Sequence, residues 1–78
     1  MSDPEYRHLL AKARDAKAGG RDAWAMQSTG EKLAVALVLN RPDWIASMDY
    51  TLAEAIERVG AEWLPLIPRA ERQLRDEG

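Results

Sequence analysis

The strongest constraint on the fold is an uninterrupted apolar run over residues 33–39, LAVALVL. No polar side chain interrupts it, so an element built from this run is apolar on every side and belongs at the centre of the molecule. A run this short also fits a buried strand, and periodicity alone leaves both readings open. Ser28 and Glu31 precede it at the spacing of a capping box, and the Leu and Ala content favours a helix. We therefore predict a central apolar helix near residues 30–40.

The length of the chain limits the core that can form around that helix. The chain has 78 residues and no cysteine, so no disulfide offsets the thin stability margin of a small core. Hydrophobic residues make up 46% of the sequence and charged residues 31%, which is typical of a packed fold. Stability must come from well-packed helices, from self-association or from both. No repeat or linker divides the chain, and we expect one helical domain over residues 1–78.

Helix start and stop signals divide the first half of the chain. Pro4, which follows a capping aspartate, predicts the start of a first helix. The glycine pair at residues 19–20 is expected to end that helix, because glycine makes continuation entropically costly and supplies a left-handed cap. Residues 21–27 can add a short helical turn that docks Trp24.

Similar signals divide the second half. Asn and Pro within residues 40–43 predict the end of the central helix and the start of a short one. Thr51 and Glu54 fit a second capping box. The helix that follows is expected to face the core with its apolar positions, namely Leu52, Ile56, Val59 and Trp63.

Two prolines shape the expected C-terminal segment. Pro65 and Pro68 predict a turn followed by a last helix from about residue 68, and residues 76–78 are expected to fray. The inward positions of that helix are expected to be Ile67, Ala70 and Leu74. Taken together, the signals predict an all-α fold, a single compact bundle of four or five short helices around the central apolar helix.

The charged residues exclude several classes of function. Eleven Lys and Arg against 13 Asp and Glu give a net charge of −2, which argues against nucleic-acid binding by bulk charge. His8 is the single histidine and is expected on the surface, so a transition-metal site would lack its usual ligands. No phosphate-binding loop is present, and the carboxylates fall on exposed helix faces. We expect no enzyme activity, no cofactor and no metal.

The sequence also bears on location. The longest apolar run is far shorter than the roughly 20 residues that a membrane span requires. The acidic, polar start at residues 1–5 is unlike a secretory signal. We expect a cytoplasmic protein without membrane association.

The three tryptophans are the most informative side chains. Each lies beside an element boundary, where an indole can bury its ring and keep its N–H near a carbonyl or water. They can all close the ends of the domain, or one or two can be partly exposed within an interaction patch. The second reading predicts a protein–protein interaction module that binds a partner or a second copy of itself. The candidate partner-binding residues are Trp24, Trp44, Met48, Tyr50 and Trp63.

Two basic helix faces support an alternative function, a nucleic-acid-binding regulator. Their candidate phosphate-contacting residues are Arg7 and Arg14 on the first helix and Arg69, Arg72 and Arg75 on the last. Such residues can equally be solvated faces whose stems cover the edges of the core. Neighbouring Glu71 and Asp76 partly neutralise the second face.

The strings LNRPDW at residues 39–44 and YTLAEA at residues 50–55 are the most distinctive of the chain. With them, residues 28–73 resemble short uncharacterised proteins of Gram-negative bacteria, often carried on plasmids or integrated elements. That resemblance implies a bacterial, intracellular protein and transfers no binding or catalytic residue.

Overall fold

The structure is a computed structural model that describes residues 3–78. Within this range the predicted all-α class is confirmed, since the chain forms five helices and no strand. The helices are α1 (Pro4–Ala25), α2 (Thr29–Val38), α3 (Pro42–Ser47), α4 (Leu52–Val59) and α5 (Leu66–Asp76). The Cα radius of gyration is 11.4 Å. A compact domain of this length is expected to have about 11.5 Å, so the helices pack as a compact bundle.

Local capping fixes where three of the helices begin. The Asp3 side chain accepts a backbone hydrogen bond in the first turn of α1. Both predicted capping boxes are confirmed. At α2, the Glu31 N–H donates to Ser28 Oγ at 3.3 Å, and the Ser28 N–H donates to the Glu31 carboxylate at 3.0 Å. At α4, Thr51 and Glu54 exchange the same two bonds at 3.1 and 2.9 Å. These bonds satisfy N–H groups that the helix itself leaves unpaired.

The glycine pair kinks α1 rather than ending it, which corrects the predicted boundary. Gly20 has φ 72° and ψ −160°, a conformation that only glycine adopts readily, and the helix resumes beyond it. Gly19 is equally constrained, because a Cβ there would lie 2.6 Å from the Cβ of Ala23. As predicted, the short resumed turn docks Trp24, which is buried.

The predicted central helix is confirmed as α2. It packs against each of the other four helices, and its buried residues are Leu33, Ala34, Val35, Ala36 and Val38. Asn40 ends it in the left-handed conformation, with φ 56°. The Asn40 N–H donates to the Leu37 carbonyl at 3.2 Å and the Arg41 N–H to the Ala36 carbonyl at 2.8 Å, which is a Schellman cap. Pro42 then begins α3.

The last two helices differ from the expectation. In α4 the predicted inward face is wrong for Leu52 and Ile56, which are exposed while Ala55 is buried. Val59 and Trp63, the other two predicted inward residues, are half-buried and pack against the core. α5 begins at Leu66, earlier than predicted, and includes Pro68. Proline is tolerated there because the first N–H groups of a helix have no partner within the helix. The buried residues of α5 are Leu66, Ala70 and Leu74, and Ile67 is half-buried.

α1 and α5 meet along a polar seam. The Tyr6 hydroxyl donates to the Gln73 side chain at 2.8 Å, and the Lys17 ammonium donates to the Leu74 carbonyl at 3.2 Å. Arg14 donates two hydrogen bonds to the carboxylate of Glu77. The expected fraying of the C-terminal residues is therefore wrong for Glu77, which is tied to the first helix.

Candidate functional site

α4 turns its smallest apolar side chain toward the core. Ala55 is 0% exposed where α4 packs on α2, whereas Leu52 is 52% exposed and Ile56 43% exposed. A methyl group lets the two helix backbones approach closely, and a larger side chain at that position would hold them apart. The Thr51 capping box fixes where α4 begins. The helix is turned about its axis so that Ala55 faces the core, and the neighbouring apolar residues Leu52 and Ile56 therefore remain on the outside.

We call the row formed by Leu52, Ile56 and Val59 the α4 stripe. Its members are spaced i, i+4 and i+7 and therefore lie on one face of the helix. Leu52 opens onto a recess of about 150 Å³ whose walls include Leu37 of α2. The half-buried Val59 lines an open groove of about 600 Å³ together with Trp63. The stripe is therefore an apolar surface with a depression at each end.

Acidic residues also occur on α4 and in the turns on either side of it. Four exposed carboxylates, which we call the acidic rim, lie on α4 or in the turns on either side of it: Asp49, Glu54, Glu57 and Glu62. Within residues 3–78 none of the four forms an ion pair. Arg58 is the one basic residue of α4. On α4 itself, Glu54 and Glu57 lie away from the face that carries the stripe, because successive residues of a helix are about 100° apart.

Two of the candidate tryptophans are core residues. Trp24 is 2% exposed and Trp44 is 4% exposed, and their rings stack with centroids 4.8 Å apart. The indole N–H of Trp24 donates to the Lys32 carbonyl at 2.8 Å. The Arg41 guanidinium covers the outer side of Trp44, 4.6 Å from its ring centroid. This burial removes both indoles from the surface that a partner can reach.

The other three candidate partner-binding residues are half-buried. Met48 and Tyr50 lie in the turn between α3 and α4 and pack against the core. Trp63 follows α4, and its ring centroid lies 5.8 Å from that of His8. Of the five candidates, Trp63 alone shares a groove with a member of the α4 stripe.

The groove beside Trp63 also contains the start of α2. His8 Nε2 donates to the Glu31 carboxylate at 2.6 Å, so this side chain links α1 to the α2 capping box. Burial of the carboxylate tends to raise the pKa of Glu31. The hydrogen bonds from the Ser28 backbone and from His8 outweigh burial, and the pKa lies below its ordinary value. Glu31 is thus held ionised in a structural role.

Two of the five basic candidates are paired with acidic side chains, and Arg69 and Arg72 line one depression beside Tyr6. Arg14 is paired with Glu77, and that hydrogen bond raises the pKa of the guanidinium. Arg75 lies 3.5 Å from the carboxylate of Glu71, one helical turn earlier, so this pair neutralises part of the basic face as expected. Arg69 lies over the Tyr6 ring, 4.4 Å from its centroid. The remaining two candidates, Arg7 and Arg72, are exposed on different helices.

A third depression lies between α5 and the C-terminal end of α2. It has a volume of about 450 Å³ and an apolar wall that includes Val38 and Leu74. Its charged side chains are already engaged, since Lys17 donates to a backbone carbonyl and Arg41 is paired with Asp43 at 2.9 Å. It therefore offers a partner fewer free groups than α4 and the acidic rim.

Comparison with known proteins adds no relative. No protein family matches the chain, and neither a curated protein nor a solved structure shows significant similarity to it. In the described range, 3–78, no helix combines the length and the apolar character needed to cross a membrane. The same residues contain no group of three His, Asp or Glu side chains that could hold a metal ion.

Sequence reasoning missed Leu52 and Ile56 as surface residues. It assigned them to the core because they form the more hydrophobic face of their helix. The signal that could have exposed them is Ala55, a small residue in the middle of a short helix that follows a long apolar one. Small residues are favoured where two helices cross closely, and α2 presents a full apolar surface to such a contact.

Proposed function

We propose that the protein is a non-catalytic interaction module that binds a partner polypeptide through the α4 stripe. The observation that carries the proposal is the exposure of Leu52 and Ile56 on one helix face, next to a recess beside Leu52 and a groove beside Val59. Single exposed apolar side chains are ordinary on protein surfaces. A contiguous row with a polar border is typical of binding sites.

The pairing of the titratable groups supports a non-catalytic role. The hydrogen bond between His8 and Glu31 joins α1 to the cap of α2, and that between Arg14 and Glu77 joins α1 to the C-terminus. General acid–base chemistry needs a group that is free to reach a substrate and has a pKa near the working pH. The lowered pKa of Glu31 works against that role.

Site-specific photo-crosslinking in the native cell tests the proposal. A photoreactive phenylalanine analogue at position 56 should form adducts with polypeptide, because the side chain of Ile56 lies within the contact surface. The same analogue at Ala18, an exposed position on α1, is the matched control and should form none. Adducts at position 56 should disappear when Leu52→Gln is added. Equal labelling at both positions, or no adduct at position 56, would refute the proposal.

The nucleic-acid alternative has its own readout. If the basic helix faces bind DNA, a mobility shift should appear at low salt and weaken with Arg72→Ala or Arg14→Ala. The internal pairing of Arg14 and Arg75 does not favour this alternative. A mobility shift that depends on Arg72 would nevertheless place the functional surface on the basic faces of α1 and α5 and not on the α4 stripe.

A further inference from the structure

The α4 stripe carries a projecting side chain and a recess next to each other. The projecting side chain is Ile56, which is 43% exposed. The recess of about 150 Å³ lies beside Leu52, one helical turn before Ile56 and about 6 Å from it along the helix axis. A cavity of this size can hold an apolar group as large as benzene, so the recess has room for one aliphatic side chain. The apolar walls that such a side chain would contact are formed by Ala36, Leu37, Pro42, Ile45 and Leu52.

A projection and a recess on one surface make that surface complementary to itself. A two-fold axis that passes between Leu52 and Ile56, perpendicular to α4, places a second α4 antiparallel to the first. Each Ile56 then lies at the level of Leu52 of the other copy, next to the recess there. The contact closes with both recesses filled, because each copy supplies the side chain that the other copy lacks.

The face around the stripe carries no charge that would keep two copies apart. Because successive residues of a helix are about 100° apart, the exposed flank of the stripe is formed by Ala53 and Gly60, and the charged residues of α4 lie on its other sides. At the recess, the guanidinium of Arg41 is paired with Asp43 at 2.9 Å. A two-fold contact brings identical groups together, so a face with unpaired charge would repel itself. This face meets its copy without that repulsion.

The size of the chain also favours self-association. A chain of 78 residues without cysteine builds a small core and has no disulfide to support it. Association of identical copies is one of the ways in which such chains gain stability. In the two-fold contact, Leu52 and Ile56 of each copy are covered by the other, so apolar surface that folding leaves exposed is removed from water.

We infer that the partner of the α4 stripe is a second copy of this chain, bound antiparallel about a two-fold axis between Leu52 and Ile56. Ile56 of each copy fills the recess beside Leu52 of the other. The inference rests on the proposed function, because it names the polypeptide that the same surface binds.

Sedimentation equilibrium of the purified chain tests the inference. Between about 1 µM and about 1 mM, which covers the dissociation constants of small interfaces, the average mass should rise from that of one chain toward that of two. Ile56→Gln should weaken association by about tenfold or more, because the substitution enters a symmetric dimer twice. Met26→Gln is the matched control, since Met26 is an apolar side chain that is 87% exposed beyond the end of α1. It should change the dissociation constant by less than about twofold.

The recess is tested separately by a residue outside the stripe. Leu37 is a wall of the recess and belongs to α2. Leu37→Gln should also weaken association by about tenfold, and circular dichroism of the same samples shows whether the variant is folded. In the purified chain, the photoreactive analogue at position 56 should give adducts of twice the chain mass. Their attachment points should lie in the peptides that contain residues 37, 45 or 52.

The outcomes separate this inference from the proposed function. A dimer that is lost in Ile56→Gln and Leu37→Gln and kept in Met26→Gln supports both. A purified chain that is monomeric at every concentration, or a dimer that Met26→Gln weakens as much as Ile56→Gln does, would overturn the inference. If the purified chain is monomeric and crosslinking in the native cell joins position 56 to a different polypeptide, the proposed function holds and the inference is wrong. If position 56 forms adducts in neither setting, both fail.

Discussion

Replacing Ala55 with leucine should destabilise the protein far more than the same replacement two residues earlier. Ala55 is 0% exposed, so the three added carbon atoms have no room and should cost about 1–3 kcal/mol through overpacking. Ala53 is exposed on the same helix. Ala53→Leu should change the free energy of unfolding by less than about 0.5 kcal/mol, since both residues are good helix formers.

Urea unfolding followed by circular dichroism measures both variants. With a slope of about 1 kcal/mol per molar urea for a domain of this size, Ala55→Leu should lower the midpoint by about 1–3 M. Ile56→Gln belongs in the same series. The side chain of Ile56 is already 43% exposed, so its replacement should cost at most about 1 kcal/mol. If Ile56→Gln or Ala53→Leu lowered the urea midpoint more than Ala55→Leu does, a different face of α4 would pack on the core, and the α4 stripe would not be a surface feature.

Four further predictions concern the rest of the bundle. Gly20→Ala should lower the free energy of unfolding by about 1–3 kcal/mol, because φ at this position is +72°. Steric contact is not the cause, since nothing lies within 4 Å of the added methyl group. An unchanged free energy of unfolding in urea would contradict the kinked geometry. Ser28→Ala should cost about 1 kcal/mol through loss of the α2 cap. Because folding lowers the pKa of Glu31, its ionised carboxylate stabilises the fold at neutral pH. This stabilisation is lost as the pH falls through the pKa that Glu31 has in the folded protein. The stability of Glu31→Gln should therefore fall less steeply with decreasing pH than that of the parent protein. An acid-unfolding curve as steep as that of the parent would contradict this prediction. Trp63→Phe should remove most of the iodide-quenchable fluorescence, since the other two indoles are buried, and quenching that persists would place one of them at the surface.

The helix boundaries could be predicted because their causes are local. Ser28 and Thr51 bond to backbone groups three residues away, and the left-handed Asn40 acts within its own turn. The central position of α2 was equally predictable, because an element that is apolar on every side can only be buried. None of these features depends on where another helix lies.

The features that sequence reasoning missed depend on contacts distant along the chain. The pairing of Arg14 with Glu77 and the stacking of Trp24 on Trp44 join residues whose proximity no local pattern indicates. A helical wheel likewise shows which residues of α4 share a face. It does not show that Ala55 is the residue of α4 that becomes fully buried.

The fold does not require apolar side chains at positions 52 and 56, which are exposed. α4 reaches the core through Ala55, so polar residues at positions 52 and 56 would cost little stability and would lower the risk of aggregation. We propose that binding, rather than folding, accounts for the apolar side chains at these two positions. The double variant Leu52→Gln, Ile56→Gln separates the two explanations. We expect it to stay folded, with an unfolding midpoint within about 2 M urea of the parent, and to lose its crosslinked adducts. A double variant that unfolded outright would show that these side chains serve the core after all.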